Sequence, residues 1–289
     1  GLFPSISFAT IDSLNIVTNG SISANVQNYA AILCTEATNS TISNCMVTIS
    51  SNFSGPNGAV VCAVPENSSI INCSTNGSGI VTLGSEYSGG IVCYSKNSKI
   101  SNCTNNVNVR PNSCVTAAGG IVASGYSLIL ENCVNNGDII LNDQSYAAGI
   151  VGTLEDEGSN SQNVIRTSIN NGYIYANNAT GGRACGIYGG NGQVKANIEK
   201  CVNSGSISGL DCASGIAGSV NGSVSNCANY GSVECPQNIT GIAMECSSMT
   251  GNVVACRASY GNNYSNYTQD VISPDADEDD FFDEQITEI

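Results

Sequence analysis

Histidine and tryptophan are absent from this 289-residue chain, and Lys, Arg, Asp and Glu together make up only 11% of it. Without histidine the commonest general base and the commonest transition-metal ligand are missing. So little charge is a poor fit to amphipathic helices, whose wet faces usually carry Glu and Lys. No apolar run approaches the roughly 20 residues that span a bilayer, so no membrane span is expected. Basic residues are outnumbered 23 to 8, which leaves a net charge of −15. That balance argues against nucleic acid and anionic membrane surfaces as partners. No signal peptide precedes Gly1, which fits either a trimmed mature product or a cytosolic chain.

What the chain does contain is 41% hydrophobic residues, with polarity carried by Asn, Ser, Thr and Gly, and 15 cysteines. It also contains repeated phrases. An apolar "Asn-Cys" phrase falls at Cys45, Cys73, Cys103, Cys133, Cys201, Cys227 and Cys256, with Ser168 filling the gap. The spacings are 28, 30, 30, 35, 33, 26 and 29 residues. A "Gly-Ile-Val" phrase falls at Ile32, Val60, Ile91, Ile121, Ile150, Ile187, Ile216 and Ile242. An Asn-x-Gly phrase starts at Asn135, Asn170, Asn203 and Asn229 and closes at Gly137, Gly172, Gly205 and Gly231. Each apolar stretch is too short for a helix and suits a strand, and Asn-Asn-Gly permits a positive φ at a corner.

A period near 30 with three phrases predicts an all-β fold: a right-handed parallel β-helix of about eight coils, three short strands per coil, over residues 1–259. A propeller blade needs about 40 residues or more, longer than these periods. Residues 260–289 read as a linker and an acidic C-terminal tail. The tail is expected to be a solvated extension, to dock on a neighbouring subunit through Phe281, Phe282, Ile286 and Ile289, or to capture calcium with Asp277, Asp279, Asp280 and Asp283. The apolar N-terminal stretch, including Phe3 and Phe8, is expected to cover the first coil or reach a neighbour, so that self-association runs through the ends and the tail.

The cysteines count in pairs when the chain is cut after each Asn-Cys position. The pairs are Cys34 and Cys45, Cys62 and Cys73, Cys93 and Cys103, Cys114 and Cys133, Cys185 and Cys201, and Cys212 and Cys227. The coil that holds Ser168 has none. This predicts disulfides within coils, each contributing roughly 2–4 kcal/mol, and an oxidising compartment. A ladder of stacked free thiols and bonds between coils are the alternatives. In the last segment Cys246 and Cys256 match the earlier pairs and Cys235 is left over, as an intermolecular thiol or a buried spectator. Candidate N-glycosylation sites are Asn19, Asn39, Asn52, Asn67, Asn76, Asn178, Asn221, Asn238, Asn263 and Asn266. Asn72 and Asn102 also head sequons but fall inside a strand phrase, where burial is expected.

The phrases Gly-Gly-Ile-Val-Cys at 89–93, Gly-Gly-Ile-Val-Ala at 119–123 and Ala-Gly-Ile-Val-Gly at 148–152 resemble the GLUG-type repeat of bacterial and protist surface proteins. The resemblance covers roughly residues 15–258 and implies a cell-surface, adhesive setting. Cysteine, alanine or methionine often stands where that repeat has its second glycine, as at Cys34, Cys62, Ala123 and Met244.

The resulting expectation is an extracellular structural protein rather than an enzyme: a glycosylated, disulfide-stapled subunit of a filament or surface matrix, with no cofactor and no metal. A monomeric adhesin or a carbohydrate- or ice-binding β-helix is the alternative. Against sugar binding, the tyrosines, among them Tyr87, Tyr94, Tyr126, Tyr146, Tyr173 and Tyr175, do not fall at one repeat position. A polysaccharide lyase or hydrolase would need clustered carboxylates. The best candidates are Glu155, Asp156 and Glu157 with Arg166 nearby, and three consecutive acids on an extended chain do not converge.

Overall fold

The short apolar phrases form strands, and the computed structural model stacks those strands as a parallel β-solenoid. The structure describes residues 1–25, 28–111, 116–142, 146–156, 162–177, 181–254, 258–259 and 263–264. Among them there is no helix. Four sheets hold nine strands each, so nine rungs are separated by eight turns. At about 4.8 Å per rung the stack is on the order of 40 Å long. The acidic tail and its candidate anchors lie outside the described residues.

Each of the first five turns carries five strand segments where three phrases were expected, and the later ones carry four. In the first turn these are Phe3–Ser7, Thr10–Asp12, Asn15–Thr18, Ile22–Ser23 and Tyr29–Ala31. They begin sheets 1 to 5 in that order. The extra segments come from corners inside the apolar phrases. Phe8, Asn39, Asn67, Asn97 and Ser127 break sheet 1 from sheet 2 at φ values of 45° to 50°. The residue before each column cysteine does the same between sheets 2 and 3, as at Asn44, Asn72, Asn102 and Asn132, with φ between 52° and 55°. Asn tolerates this left-handed conformation better than most residues because its amide bonds locally. In the last rungs the first corner is lost, and Tyr188–Glu199, Ala217–Ser225 and Ala243–Thr250 run on as long strands.

The Asn-x-Gly phrase does not supply a positive φ. Its glycines are needed for room: a Cβ on Gly172 would lie 2.0 Å from the Gly137 carbonyl oxygen one turn below, and Gly205 and Gly231 repeat the distance. Its asparagines build the polar spine of the core. Asn105, Asn135, Asn170, Asn203 and Asn229 are fully buried in one column. Asn135 Nδ2 donates to Asn170 Oδ1 and to the Gly137 carbonyl, both at 2.8 Å. Asn105 Nδ2 donates to Asn135 Oδ1 at 2.8 Å, and Thr75 Oγ1 closes the ladder on Asn105 Oδ1 at 2.6 Å. Buried amides are tolerated here because each finds partners on the rungs around it.

This spine fixes the glycine of the other phrase. A Cβ on Gly120 would stand 2.3 Å from Asn135 Cγ, and one on Gly149 would stand 2.2 Å from Asn170 Cγ. The first rungs solve the same space differently. Ile32 and Val60 occupy the Gly90 column, and Val47 and Thr75 occupy the Asn105 column. Ile32 and Val60 therefore belong one position earlier in the repeat than the sequence alignment of the Gly-Ile-Val phrases placed them. Elsewhere the core is apolar: Ile42, Ile70, Ile100, Leu130, Ile165, Ile198 and Val224 form one fully buried column of sheet 2.

The Asn-Cys cysteines form a second column. Each thiol donates to the carbonyl two residues earlier, as in Cys73 to Ile71 at 3.4 Å and Cys103 to Ser101 at 3.3 Å. Ser168 takes the same slot, donating to the Arg166 carbonyl at 2.9 Å and accepting from Cys133 N at 3.2 Å. The slot therefore selects a short side chain with one donor. On the last rung Asn252 fills it, its Oδ1 accepting from Cys227 N at 2.8 Å. Cys256, read as the last member of the repeat, lies outside the described residues. The hydrogen bond with Cys103, together with burial, holds the Cys73 thiol well above its ordinary pKa.

Among the described residues none of the within-coil pairs expected from counting is bonded, and the cysteines there stand as free thiols; Cys114 and Cys256, partners in two of the expected pairs, lie outside the described residues. Paired members point to different places. Cys103 lies in the main core while Cys93 lies in a separate apolar cluster. Cys34 stands in register with Cys62 one turn away. Of the other first members, Cys185 and Cys212 belong to sheet 5. Cys235 is 3% exposed inside the core, the place of a buried spectator. Cys246 is partly buried, and Cys114 lies outside the described residues.

Candidate functional site

The bend from sheet 5 into sheet 1 is too tight for side chains on its inner edge. A Cβ on Gly89 or Gly119 would lie 1.9 Å from the carbonyl oxygen of Val92 or Val122. Small residues at this bend, Ala31, Ala59, Gly89, Gly119 and Ala148, share one column along the rod axis.

Tyrosines pack over this column. The column two residues earlier on sheet 5 runs Tyr29, Asn57, Tyr87, Ala117, Tyr146, Arg183, Cys212, Asn238. Its tyrosines recur every second rung, about 10 Å apart. Tyr94 and Tyr126 on sheet 1 face them. The Tyr87 and Tyr94 ring centroids are 5.5 Å apart, and those of Tyr94 and Tyr126 are 6.3 Å apart in an edge-on arrangement. Tyr29, Tyr87 and Tyr126 pack on a satellite cluster of Ala31, Ala59, Ala63, Val64, Cys93 and Tyr94. Glu155 pins two of the rings, its carboxylate accepting the Tyr94 hydroxyl at 2.5 Å and the Tyr87 hydroxyl on its other oxygen. Burial, reinforced by this carboxylate, pushes the Tyr87 pKa up, and burial does the same at Tyr29. Both phenols therefore stay protonated at neutral pH and present apolar faces with hydroxyl donors.

Three tyrosines, Tyr29, Tyr87 and Tyr146, thus share a repeat position that the sequence reading missed, while Tyr94, Tyr126, Tyr173 and Tyr175 stand at others, as that reading expected. The signal is Tyr three residues before the first buried position of the next phrase, in Tyr29-Ala30-Ala31-Ile32, Tyr87-Ser88-Gly89-Gly90 and Tyr146-Ala147-Ala148-Gly149. Its alternation over two rungs hid it from a search at single-rung period. Tyr173 and Tyr175 lie on a different part of the rod and stack on each other, centroids 6.2 Å apart.

Further along the tyrosine column lies a cleft of about 430 Å³ whose lining includes Tyr146, Arg183, Asp211, Ser219, Asn238 and Glu245. Arg183 is held over the Tyr146 ring at 5.9 Å, with Nη1 donating to the Gly190 carbonyl at 2.6 Å and to Ser219 Oγ at 2.8 Å. Asp211 and Glu245 approach from later rungs, so no local motif in the sequence announced the cleft.

The carboxylates considered for hydrolysis are not assembled. Glu155 is spent on the tyrosines, Asp156 is exposed, and Glu157 lies outside the described residues. Arg166 pairs instead with Glu131 at 2.5 Å and Glu199 at 4.0 Å. Among the described residues no group of three or more Cys, Asp or Glu is placed to hold a metal. No described helix is long and apolar enough to cross a membrane.

The asparagines of six candidate sequons, Asn19, Asn39, Asn52, Asn67, Asn221 and Asn238, are exposed, and Asn76 is half-buried. Asn72 and Asn102, expected to be buried, are exposed too, because they sit on positive-φ corners with the side chain turned outward. Asn178 and Asn266, and the side chain of Asn263, lie outside the described residues. Of the assembly candidates, Phe3 is partly buried against the core and Phe8 is 82% exposed. No family model, no curated protein and no solved structure matches this chain.

Proposed function

We propose that this chain is an extracellular structural protein that adheres to glycans, a rigid rod whose side face binds an extended polysaccharide. The tyrosine column carries this reading. Aromatic side chains repeated about 10 Å apart in a straight column offer successive platforms to a chain of sugar rings. Exposed sequons and an uncharged polar surface suit a secreted, glycosylated setting. The GLUG-type resemblance points the same way, and no assembled catalytic group speaks for turnover.

Affinity electrophoresis of the full chain through gels containing plant, bacterial and animal polysaccharides tests it. Retardation is expected in at least one gel. Tyr29→Ala and Tyr146→Ala should each weaken it about three- to tenfold, with the melting temperature nearly unchanged. Tyr87 is a poorer probe because it also anchors Glu155. Equal mobility in every gel, or retardation that both variants retain in full, would sink the proposal.

A second reading, end-to-end assembly into a filament or matrix, is favoured by Phe8. It occupies the corner held by Asn39, Asn67 and Asn97 on later rungs, at φ 50°, and is 82% exposed. A bulky residue in the left-handed region is strained, and strain of this kind gathers at functional positions. Leu2 and Val17 on the same rung are 62% and 57% exposed, beside strands paired on one side only. A second copy stacking on this rung would bury them. Sedimentation velocity of the full chain should show concentration-dependent association that Phe8→Asn reduces. A single monomer boundary at all concentrations excludes assembly through this end.

A further inference from the structure

Three of the described basic side chains that line the rod, Lys99, Arg110 and Arg166, are ion-paired. Arg183 differs. It forms no ion pair with any Asp or Glu among the described residues, although Asp211 and Glu245 share its cleft. Asp211 is engaged on the cleft wall, with Oδ2 accepting from Gly181 N at 2.6 Å and Oδ1 from Asn238 Nδ2 at 3.5 Å. Among the described residues the hydrogen-bond acceptors of the Arg183 guanidinium, the Gly190 carbonyl and Ser219 Oγ, both lie on Nη1. Those two bonds and the Tyr146 ring fix the guanidinium in place, so little side-chain entropy remains to be lost when an anion binds.

We infer that the Arg183 cleft binds the carboxylate of an acidic sugar, at the end of the tyrosine column. The site deepens the glycan-binding reading and rests on it. A planar guanidinium whose Nε and Nη2 donors are unused along one edge matches a carboxylate in a forked ion pair. Tyr146 belongs both to the cleft and to the column, so a sugar chain lying on Tyr29, Tyr87 and Tyr146 is led to Arg183 on the next rung. Ser219 and Asn238 offer uncharged donors and acceptors suited to sugar hydroxyls. Glu245, exposed at the cleft, opposes the bound carboxylate and limits affinity.

Two sugars carry such a carboxylate: a uronate within a chain and a sialic acid at its end. Isothermal titration of the full chain with matched probes distinguishes them. The first pair is an oligogalacturonate and the same oligomer with its carboxyls reduced. The second is sialyllactose and lactose. The acidic member of at least one pair should bind about tenfold or more tightly than its neutral partner. A preference confined to one pair assigns the carboxylate to that source, and a preference in both leaves the cleft open to either.

Arg183→Gln should abolish the preference, and Arg183→Lys should keep part of it. Glu245→Gln should strengthen only the acidic probes. Because Glu245 is exposed, that variant reads the cleft's electrostatics even if Arg183→Gln fails to fold. Equal affinity for both members of each pair, or acidic binding unmoved by Glu245→Gln and by a folded Arg183→Gln, overturns the inference while glycan binding stands. No heat with any probe, together with no retardation in any polysaccharide gel, overturns the glycan-binding reading and this inference with it.

Discussion

Asn135→Ala is expected to destabilise the solenoid by about 3–6 kcal/mol, against less than about 1 kcal/mol for Asn136→Ala next to it. The two residues are neighbours in sequence and both make amide ladders. Asn136 donates to Asn106 Oδ1 at 2.7 Å, but on the exposed surface, where water replaces a lost partner. Asn135 is fully buried, and its loss strands three groups at once. The Gly137 carbonyl and Asn170 Oδ1 lose a donor, and Asn105 Nδ2 loses an acceptor. Each unsatisfied buried group costs about 1–3 kcal/mol. Urea denaturation followed by circular dichroism measures the difference. A repeat protein can lose cooperativity when one rung is weakened, so broadening of the transition in Asn135→Ala is an expected part of the result. Equal midpoints for the two variants would mean that water reaches the spine.

Gly120→Val is expected to cost at least as much, and Asn135→Thr is expected to restore part of the loss. A side chain at Gly120 meets two obstacles. Its Cβ would be 2.2 Å from the Gly149 carbonyl oxygen and 2.3 Å from Asn135 Cγ. Contacts that short force a backbone shift in a packed interior, where even modest overpacking costs about 1–3 kcal/mol. The molecule also contains its own answer. Where Val60 takes the glycine column at the end of the second turn, Thr75 in the third takes the asparagine column, and Thr75 still donates to the amide on the next rung. The double variant copies that pairing into the middle of the stack. The double-mutant cycle should give a favourable coupling of about 1–3 kcal/mol, since the two positions share one space. Simple additivity would mean that the carbonyl contact alone sets the cost.

The same geometry limits what the tyrosine column can become. Gly89 and Gly119 hold the bend closed, and the tyrosines stand on the strand just before it. The platforms therefore inherit their spacing from the rung distance rather than from loop conformation. Sites placed on regular strands are more rigid than sites on loops. On the proposed reading an extended ligand would bind without remodelling of the rod.

Much of this was legible in the residues. Repeated phrases near a period of 30, each too short for a helix, determined a parallel solenoid of about eight turns. The pairing of Asn with Gly in one phrase and of Gly with Ile in the other marked two real columns of the core. Three things were decided only in three dimensions. The first was where the chain bends: Asn-Cys and Asn-Ser look like parts of a strand, but their asparagines take a positive φ and help split each of the first five turns into five segments. The second was the cysteines. Counting makes them partners within a turn, whereas stacking places equivalent residues one rung apart, and a short donor fills each slot whether it is Cys, Ser or Asn. The third was the tyrosine column. Tyr29, Tyr87, Tyr146 and Arg183 are separated by 58, 59 and 37 residues, and only the parallel register brings them onto one line. Local composition sets which residues form strands and corners. The register between rungs is set by packing and hydrogen bonds across the whole stack, and that register is what creates the site.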